Sequence, residues 1–375
     1  MRICILGPVA KESLLFRRDL ILELVARGHT VFVFCADCNE ETHQLIQSFG
    51  AQPVHYSLNR GGANPIADLR SLFQLQKLFK TIQPDMVLSC FVKPSIYGSI
   101  AAKLAGVPKR FAMLEGLGFV FTELPTGVSC KQAWLKKIQI LLYRLALPYI
   151  DTLIFLNHDD PVDLLERNNL QAKHVEVLGG IGLDLKEYPY TAPPVHPVRF
   201  VFIARLLAEK GIFEYIEAAK QVKKHYPEAE FVVLGGLDEA NPGGLKQERL
   251  QELIDSGVII YPGYVSNVVE WIAGSSVFVL PSYYREGVPR STQEAMAVGR
   301  AVITTDVPGC RETVVHGVNG FLVPKWNALA LAEKMMYFME HPEEITTMGL
   351  ASHKLAVEKF DVRQVNERLI KILGL

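Results

Sequence analysis

At 375 residues the chain exceeds what one hydrophobic core usually organises, so two domains are expected. Nearly half of the residues, 49%, are hydrophobic, which is ample for two cores and excludes a disordered chain. A net charge of −1, with acids and bases mixed along both halves, leaves no basic face for nucleic acid.

The apolar start, residues 1–10, is cut by Lys11 and Glu12 and is too short for a secretory signal. No run of about eighteen apolar residues follows that would cross a bilayer. The chain carries 6 cysteines. Cys35-Ala36-Asp37-Cys38 has the spacing of a zinc or redox pair, but no second pair or ligand cluster completes a site. The pair is read as incidental, with reduced thiols suited to the cytosol.

In chain order, short β-branched and aromatic runs alternate with helical patterns. Strands are expected at 2–7, 30–35, 54–58, 86–91, 110–115 and 152–157. Helices are expected up to about Arg27 and over 40–48, 67–81 and 95–104. Residues 168–197 change character. Gly179-Gly180-Ile181-Gly182 and Thr191-Ala192-Pro193-Pro194 are turn- and linker-like, which divides the chain into domains 1–180 and 181–375. Alternation resumes with strands at 198–204, 230–235, 258–261, 277–281, 301–305 and 320–323. The tail from Ala328 is helical, with breaks expected at Gly349 and at Phe360-Asp361. Strands alternating with helices mean parallel sheets covered on both faces, with ligands at the carboxyl ends of the strands. The fold class is therefore α/β, with two doubly wound Rossmann-like domains. A dinucleotide-binding oxidoreductase is the rival of that class. Its first turn needs closely spaced glycines, whereas here that turn has Gly7 alone, although Asp37 stands where a ribose-binding acid would.

The stretch 281–306 is the most informative. Between two short strands lie an acidic turn, Glu286-Gly287-Val288-Pro289, and a short helix that Gly299 should end. A helix start at a sheet's carboxyl edge favours an anion such as a diphosphate. The carboxylates Glu286 and Glu294 beside it suit a ligand whose hydroxyls flank its phosphates, as in a nucleotide sugar. Two plainer readings stand beside this one: Ser291 to Glu294 fits a capping box, and Glu286 fits a solvated turn.

This stretch, continued by Gly309, Glu312 and Gly317-Val318-Asn319-Gly320, resembles the signature of the retaining family 4 glycosyltransferases, and the resemblance extends over most of the chain. It implies the GT-B arrangement, two such domains facing each other across a cleft, with the last helix able to cross back to the first domain. It implies that Glu286 meets the donor hexose and Glu294 the ribose. Arg205 and Lys210, after the second domain's first strand, match the pair that grips the donor diphosphate. Those cations suit a metal-independent enzyme without cofactors, and no Asp-x-Asp metal motif occurs. Gly287 and Val288 border the donor, Gly235 and Gly236 would let a nucleotide approach closely, and Tyr264 and Val265 would border the base; ordinary tight turns explain these glycines nearly as well.

In the first domain, Glu115-Gly116-Leu117-Gly118 ends a strand. The chain lacks the histidine that many family members carry in this region. The four-residue motif resembles a branch acting on polyprenyl-diphosphate-linked sugars, a likeness that takes in the surroundings of Phe16-Arg17 and Glu239. Glu115 then orients a hydroxyl or acts as a base, or else it caps the glycines. Lys11, Arg17, Arg18 and Lys93 lie near the same edge, where they suit an acceptor diphosphate or are scattered surface charge. The implied activity moves a hexose or N-acetylhexosamine from a UDP-sugar to a lipid-linked sugar; an epimerase or phosphorylase of the same fold is the alternative. Finally, residues 131–150 contain Trp134, Ile138, Leu141, Leu142 and Leu145 at helical spacing among Lys131, Lys136, Lys137 and Arg144, with no acid. Such a helix suits either the core or the inner membrane surface, where a cytoplasmic enzyme would dock peripherally.

Overall fold

The computed structural model describes residues 1–7, 14–36, 38–58, 64–238, 241 and 243–375. Strands Arg2–Leu6 (β1), Thr30–Cys35 (β2), Gln52–His55 (β3), Met86–Cys90 (β4), Lys109–Leu114 (β5), Thr152–Phe155 (β6) and Val175–Val177 (β7) form one sheet. Their order is β3-β2-β1-β4-β5-β6-β7, and every pairing is parallel. Among them run helices Arg18–Ala26 (α1), Glu40–Ser48 (α2), Pro65–Ile82 (α3), Ser99–Ala105 (α4), Cys130–Ala146 (α5) and Asp159–Leu164 (α6). β4 is buried at every position, as a strand covered on both faces must be. Asn64 shows the local logic of a helix start: its side chain accepts the Ala67 N–H while Pro65 opens α3.

The second sheet holds Arg199–Ile203 (β8), Glu230–Leu234 (β9), Ile260–Gly263 (β10), Val277–Leu280 (β11), Ala301–Thr305 (β12) and Gly320–Val323 (β13). It is again parallel, in the order β10-β9-β8-β11-β12-β13. Its helices are Ile212–His225 (α7), Gln247–Asp255 (α8), Val268–Ala273 (α9), Arg290–Val298 (α10), Ala328–Glu340 (α11) and Pro342–Phe360 (α12), followed by Val362–Leu373 (α13). Contacts group the chain into two units. One comprises Met1–Phe121, Val128–Ile181 and Val365–Leu375, and the other Thr122–Gly127 and Gly182–Gln364.

Several expectations are corrected. β7 lies inside the stretch read as linker; three residues, Val-Glu-Val, are too few to show a period. β3 begins and ends earlier than the expected strand at 54–58, and β10 later than the one at 258–261. α12 runs unbroken through Gly349, where a break was expected. A Cβ there would lie 2.4 Å from the carbonyl oxygen of Gly299, so this glycine lets α12 press on the end of α10. The expected break at Phe360-Asp361 is where α12 gives way to α13. The expected helix at 95–104 opens as a π-turn, Pro94–Gly98, in which a Cβ on Gly98 would strike the Leu6 side chain at 2.3 Å. Cys35 and Cys38 are not free thiols but a disulfide, their Cα atoms 5.3 Å apart and so within bridging range.

Candidate active site

In the second unit, β8 and β11 are neighbours from which the strand order runs outward in opposite directions. The loops leaving their carboxyl ends therefore flank the switch point where doubly wound sheets bind ligands. The β8 loop carries Lys210 in a short 3₁₀ turn closed by Gly211 at φ +82°. A Cβ on Gly211 would lie 2.2 Å from the carbonyl oxygen of Pro281, so only glycine lets the two loops meet.

Where they meet, Lys210 Nζ lies 2.8 Å from Glu286 Oε1, with the two side chains only 14% and 15% exposed. The Ser282 hydroxyl lies 2.9 Å from the same oxygen. The Glu209 carbonyl accepts the N–H groups of Tyr283 (2.9 Å) and Tyr284 (3.0 Å), and the Lys210 ammonium lies 5.1 Å from the centre of the Tyr284 ring. Gly309 closes the far side, since a Cβ there would stand 2.5 Å from the Glu286 carbonyl oxygen. Glu286 is thus fixed from several sides rather than being a solvated turn residue.

α10 starts at Arg290, and no side chain caps its first turn. That helix start follows β11 and so lies at the carboxyl edge of the sheet. The Ser291–Glu294 capping box does not form. Glu294 instead accepts the Tyr188 hydroxyl and Arg290 Nε, each at 2.9 Å, while Arg290 Nη1 donates to the Gly182 carbonyl at 3.2 Å. Burial pushes the Glu294 carboxyl above its usual range, and Arg290 and Tyr188 oppose that rise. Val288 is buried and its carbonyl accepts Gln293 Nε2 at 3.1 Å, with Gly287 buried beside it.

Arg205 has a different carboxylate partner from Lys210. It is exposed and pairs with Asp238 at 3.4 Å, a contact that solvent weakens. The two adjacent glycines after β9 have different reasons. A Cβ on Gly235 would lie 1.9 Å from the Ala204 carbonyl oxygen, so packing alone requires a glycine there, whereas a Cβ on Gly236 meets nothing within 4 Å. Tyr264, one residue past β10, is 73% exposed, and Val265 is half-buried. Sequence reasoning missed Ser282 and Tyr188. Ser282 stood in the quoted stretch, four residues before Glu286, while nothing local links Tyr188 to a glutamate 106 positions away.

In the first unit, Glu115 follows β5 and its carboxylate meets the Arg17 guanidinium in a close ion pair, both side chains only 10% exposed. Burial pushes the Glu115 carboxyl up and Arg17 opposes that rise. The Cys90 thiol at the end of β4 borders the pair, and burial pushes it up to about 12, so it stays protonated. Gly116 and Gly118 take φ values of +106° and +74°, which explains both glycines of the motif without invoking a carboxylate cap. Phe91, a bulky residue, is held at φ +69°, a strained backbone next to this pair. The other two described cations have carboxylate partners of their own. Lys93 Nζ is 2.8 Å from the buried Asp68, which also accepts the Tyr97 hydroxyl at 3.2 Å, and Arg18 contacts its neighbour Asp19 at 3.2 Å. Lys11, Asp37 and Glu239 lie outside the described residues.

α5 is amphipathic in an unusual sense. Trp134, Leu141 and Leu145 are 62%, 53% and 54% exposed and share one face, which Lys131, Lys137 and Arg144 border. Ile140 and Leu142 pack on the core, and the Lys136 ammonium lies 4.5 Å from the centre of the Phe121 ring. Among the described residues no helix is long and apolar enough to cross a membrane.

Two doubly wound parallel units, one with a cation–carboxylate pair and an uncapped helix start at its switch point, define the GT-B class of glycosyltransferase. Residues 191–354 match the family model of group 1 glycosyl transferases, and residues 2–157 that of 4-like glycosyl transferases. The chain is 30% identical to the N,N'-diacetylbacillosaminyl-diphospho-undecaprenol alpha-1,3-N-acetylgalactosaminyltransferase of Campylobacter jejuni, covering 99% of this chain and 98% of that one. It is 27% identical to the UDP-Gal:alpha-D-GlcNAc-diphosphoundecaprenol alpha-1,3-galactosyltransferase of Escherichia coli over 69% of this chain and 67% of the relative. The Anabaena protein HepE, solved with UDP and glucose, superposes with a TM-score of 0.78 at 17% identity, over 100% of this chain and 99% of that one. The chain belongs to the family 4 glycosyltransferases and is a glycosyltransferase.

Proposed function

We propose that this enzyme moves a hexose or N-acetylhexosamine from a UDP-sugar to a sugar carried on polyprenyl diphosphate, with retention at the anomeric carbon. The observation that carries the reading is the Lys210–Glu286 pair at the β8–β11 switch point, beside the uncapped start of α10. Charge builds on the leaving diphosphate as the sugar bond breaks, and Lys210, Arg205 and the α10 amides answer it in place of a metal. Glu286 orients the hexose, and Glu294, held by Tyr188 and Arg290, takes the ribose hydroxyls. Tyr264 offers a face to the base. The Arg17–Glu115 pair holds an acceptor hydroxyl. The acceptor class rests on the names of the Campylobacter and Escherichia relatives, which both act on undecaprenyl-linked sugars.

The test is a screen of UDP-sugars with a short polyprenyl-diphosphate sugar, read by mass spectrometry with and without excess chelator. A new disaccharide on the lipid is expected in both arms. A free epimerised nucleotide sugar, or activity abolished by chelator and rescued by magnesium or manganese, would overturn the reading.

The same proposal includes docking through α5, because a lipid-linked acceptor stays in its membrane. Trp134, Leu141 and Leu145 suit the interface, and Lys131, Lys137 and Arg144 suit anionic headgroups, each cation contributing about 1 kcal/mol. Native protein is expected to sediment with vesicles containing phosphatidylglycerol. Changing Lys131, Lys137 and Arg144 to Glu should release it, a loss of roughly a hundredfold in partitioning. Equal, salt-insensitive sedimentation of both proteins would remove α5 from the contact.

A further inference from the structure

The chain between β5 and α5 makes an excursion. Phe121 and Val128 belong to the first unit, yet the six residues Thr122–Gly127 between them pack as part of the second.

Two of its contacts bear on the loop that carries Glu286. Thr122 is 1% exposed, and its Oγ1 accepts the backbone N–H of Arg285, the residue just before Glu286, at 3.1 Å. Glu123 forms an ion pair with Lys325, whose ammonium lies 4.3 Å from the centre of the Trp326 indole. Trp326 in turn meets Tyr283 edge-on at 5.7 Å, at the start of the same loop. Trp326 is held at φ +60°, unusual for a bulky residue, and its indole N–H is buried without a partner. A strained residue persists only where its surroundings over-determine it. Here the surroundings are the Glu123–Lys325 pair on one side and Tyr283 on the other.

Inside the second unit the loop is already tied at Tyr283 and Tyr284 by the Glu209 carbonyl, and Gly309 packs on Glu286 and Gly287. The Arg285 amide lies between these ties and donates to Thr122. We propose that Thr122–Gly127 is a strap that sets the register of the 283–286 loop, with Thr122 as the positioning residue for Glu286 and Glu123 supporting it through Lys325 and Trp326. The inference rests on the reading above in which Glu286 orients the donor hexose. A carboxylate displaced by a fraction of an ångström still permits donor binding through the diphosphate but no longer meets the hexose in the transition state.

The experiment is steady-state kinetics of Thr122→Val, Thr122→Ser and Glu286→Gln beside the native enzyme, with thermal unfolding of each. Thr122→Val keeps the side chain's shape and removes the hydroxyl that accepts the Arg285 N–H. Its kcat should fall roughly tenfold with the donor KM within about twofold, while Thr122→Ser stays near native, a split that marks loss of an interaction made in the transition state. Should Thr122→Val fail to fold, Thr122→Ala is read in the same way. A native kcat in Thr122→Val, or kcat and KM falling and rising together with a lowered melting temperature in both Thr122 variants, would overturn the strap. If Glu286→Gln is itself unimpaired, the donor-site reading fails first. An impaired Glu286→Gln beside a native Thr122→Val sinks the strap alone.

Discussion

Glu286→Gln is expected to lower kcat between ten- and a hundredfold with little change in donor KM, the loss of about 1.5–3 kcal/mol that a hydrogen bond to a charged group contributes. The amide keeps the size of the carboxylate but removes the charge facing Lys210 Nζ at 2.8 Å. Lys210→Met is expected to cost more, roughly a hundred- to a thousandfold, as deletions of other groups that stabilise a developing anion do. It also takes the ammonium away from a mostly buried Glu286 that accepts the Ser282 hydroxyl. The double variant should fall little below Lys210→Met alone, because residues in one ion pair act as a unit and their effects do not add. Arg205→Ala, on an exposed side chain 3.4 Å from Asp238, should raise donor KM more than it lowers kcat. Fully additive losses in the double variant, or near-native kinetics in Glu286→Gln, would separate the pair from the chemistry.

The frame of this site was legible in the sequence because its determinants are local. A β-branched run marked β11, which leads into the switch point, and the spacing from Glu286 through Pro289 to Glu294 located a turn and a helix start. The partners that complete the site come from far away in the chain. Tyr188 reaches Glu294 across 106 positions, and Thr122 reaches Arg285 across 163. No periodicity or capping rule connects residues at such distances. The same limit explains the glycines. Gly235 and Gly349 look alike in sequence, yet a Cβ on one would strike the Ala204 carbonyl and on the other the Gly299 carbonyl, facts of packing that no local signal carries. Charge partners were hidden for a related reason. Lys93 is a surface cation by composition, and only the fold delivers Asp68 to it. Ser291 and Glu294 had the spacing of a capping box, but Arg290 and Tyr188 claim the carboxylate first.

Arg17→Ala should have the largest effect on stability of any single change considered for this enzyme. The Arg17–Glu115 pair is nine-tenths buried on both sides, and removing the guanidinium strands a carboxylate whose burial already pushes it upward. Breaking such a pair costs about 3–5 kcal/mol, whereas replacing both partners with apolar residues of similar size is often neutral. The pH dependence follows from the sign of the shift. Without Arg17 to oppose burial, the folded pKa of Glu115 rises further above its unfolded value. The stability linked to that group is then fully present below the ordinary glutamate range and lost as pH rises through the higher, folded value. Denaturant titration of Arg17→Ala should therefore show a deeper deficit at pH 8 than at pH 5, measured against native protein at each pH. Arg17→Met with Glu115→Leu should recover most of the stability. If the pair contacts the acceptor, the double variant regains its fold but not its transfer to the lipid-linked sugar, and donor binding is untouched. Recovery of transfer together with stability would confine the pair to holding Glu115-Gly116-Leu117-Gly118 in shape and would return the acceptor to other residues.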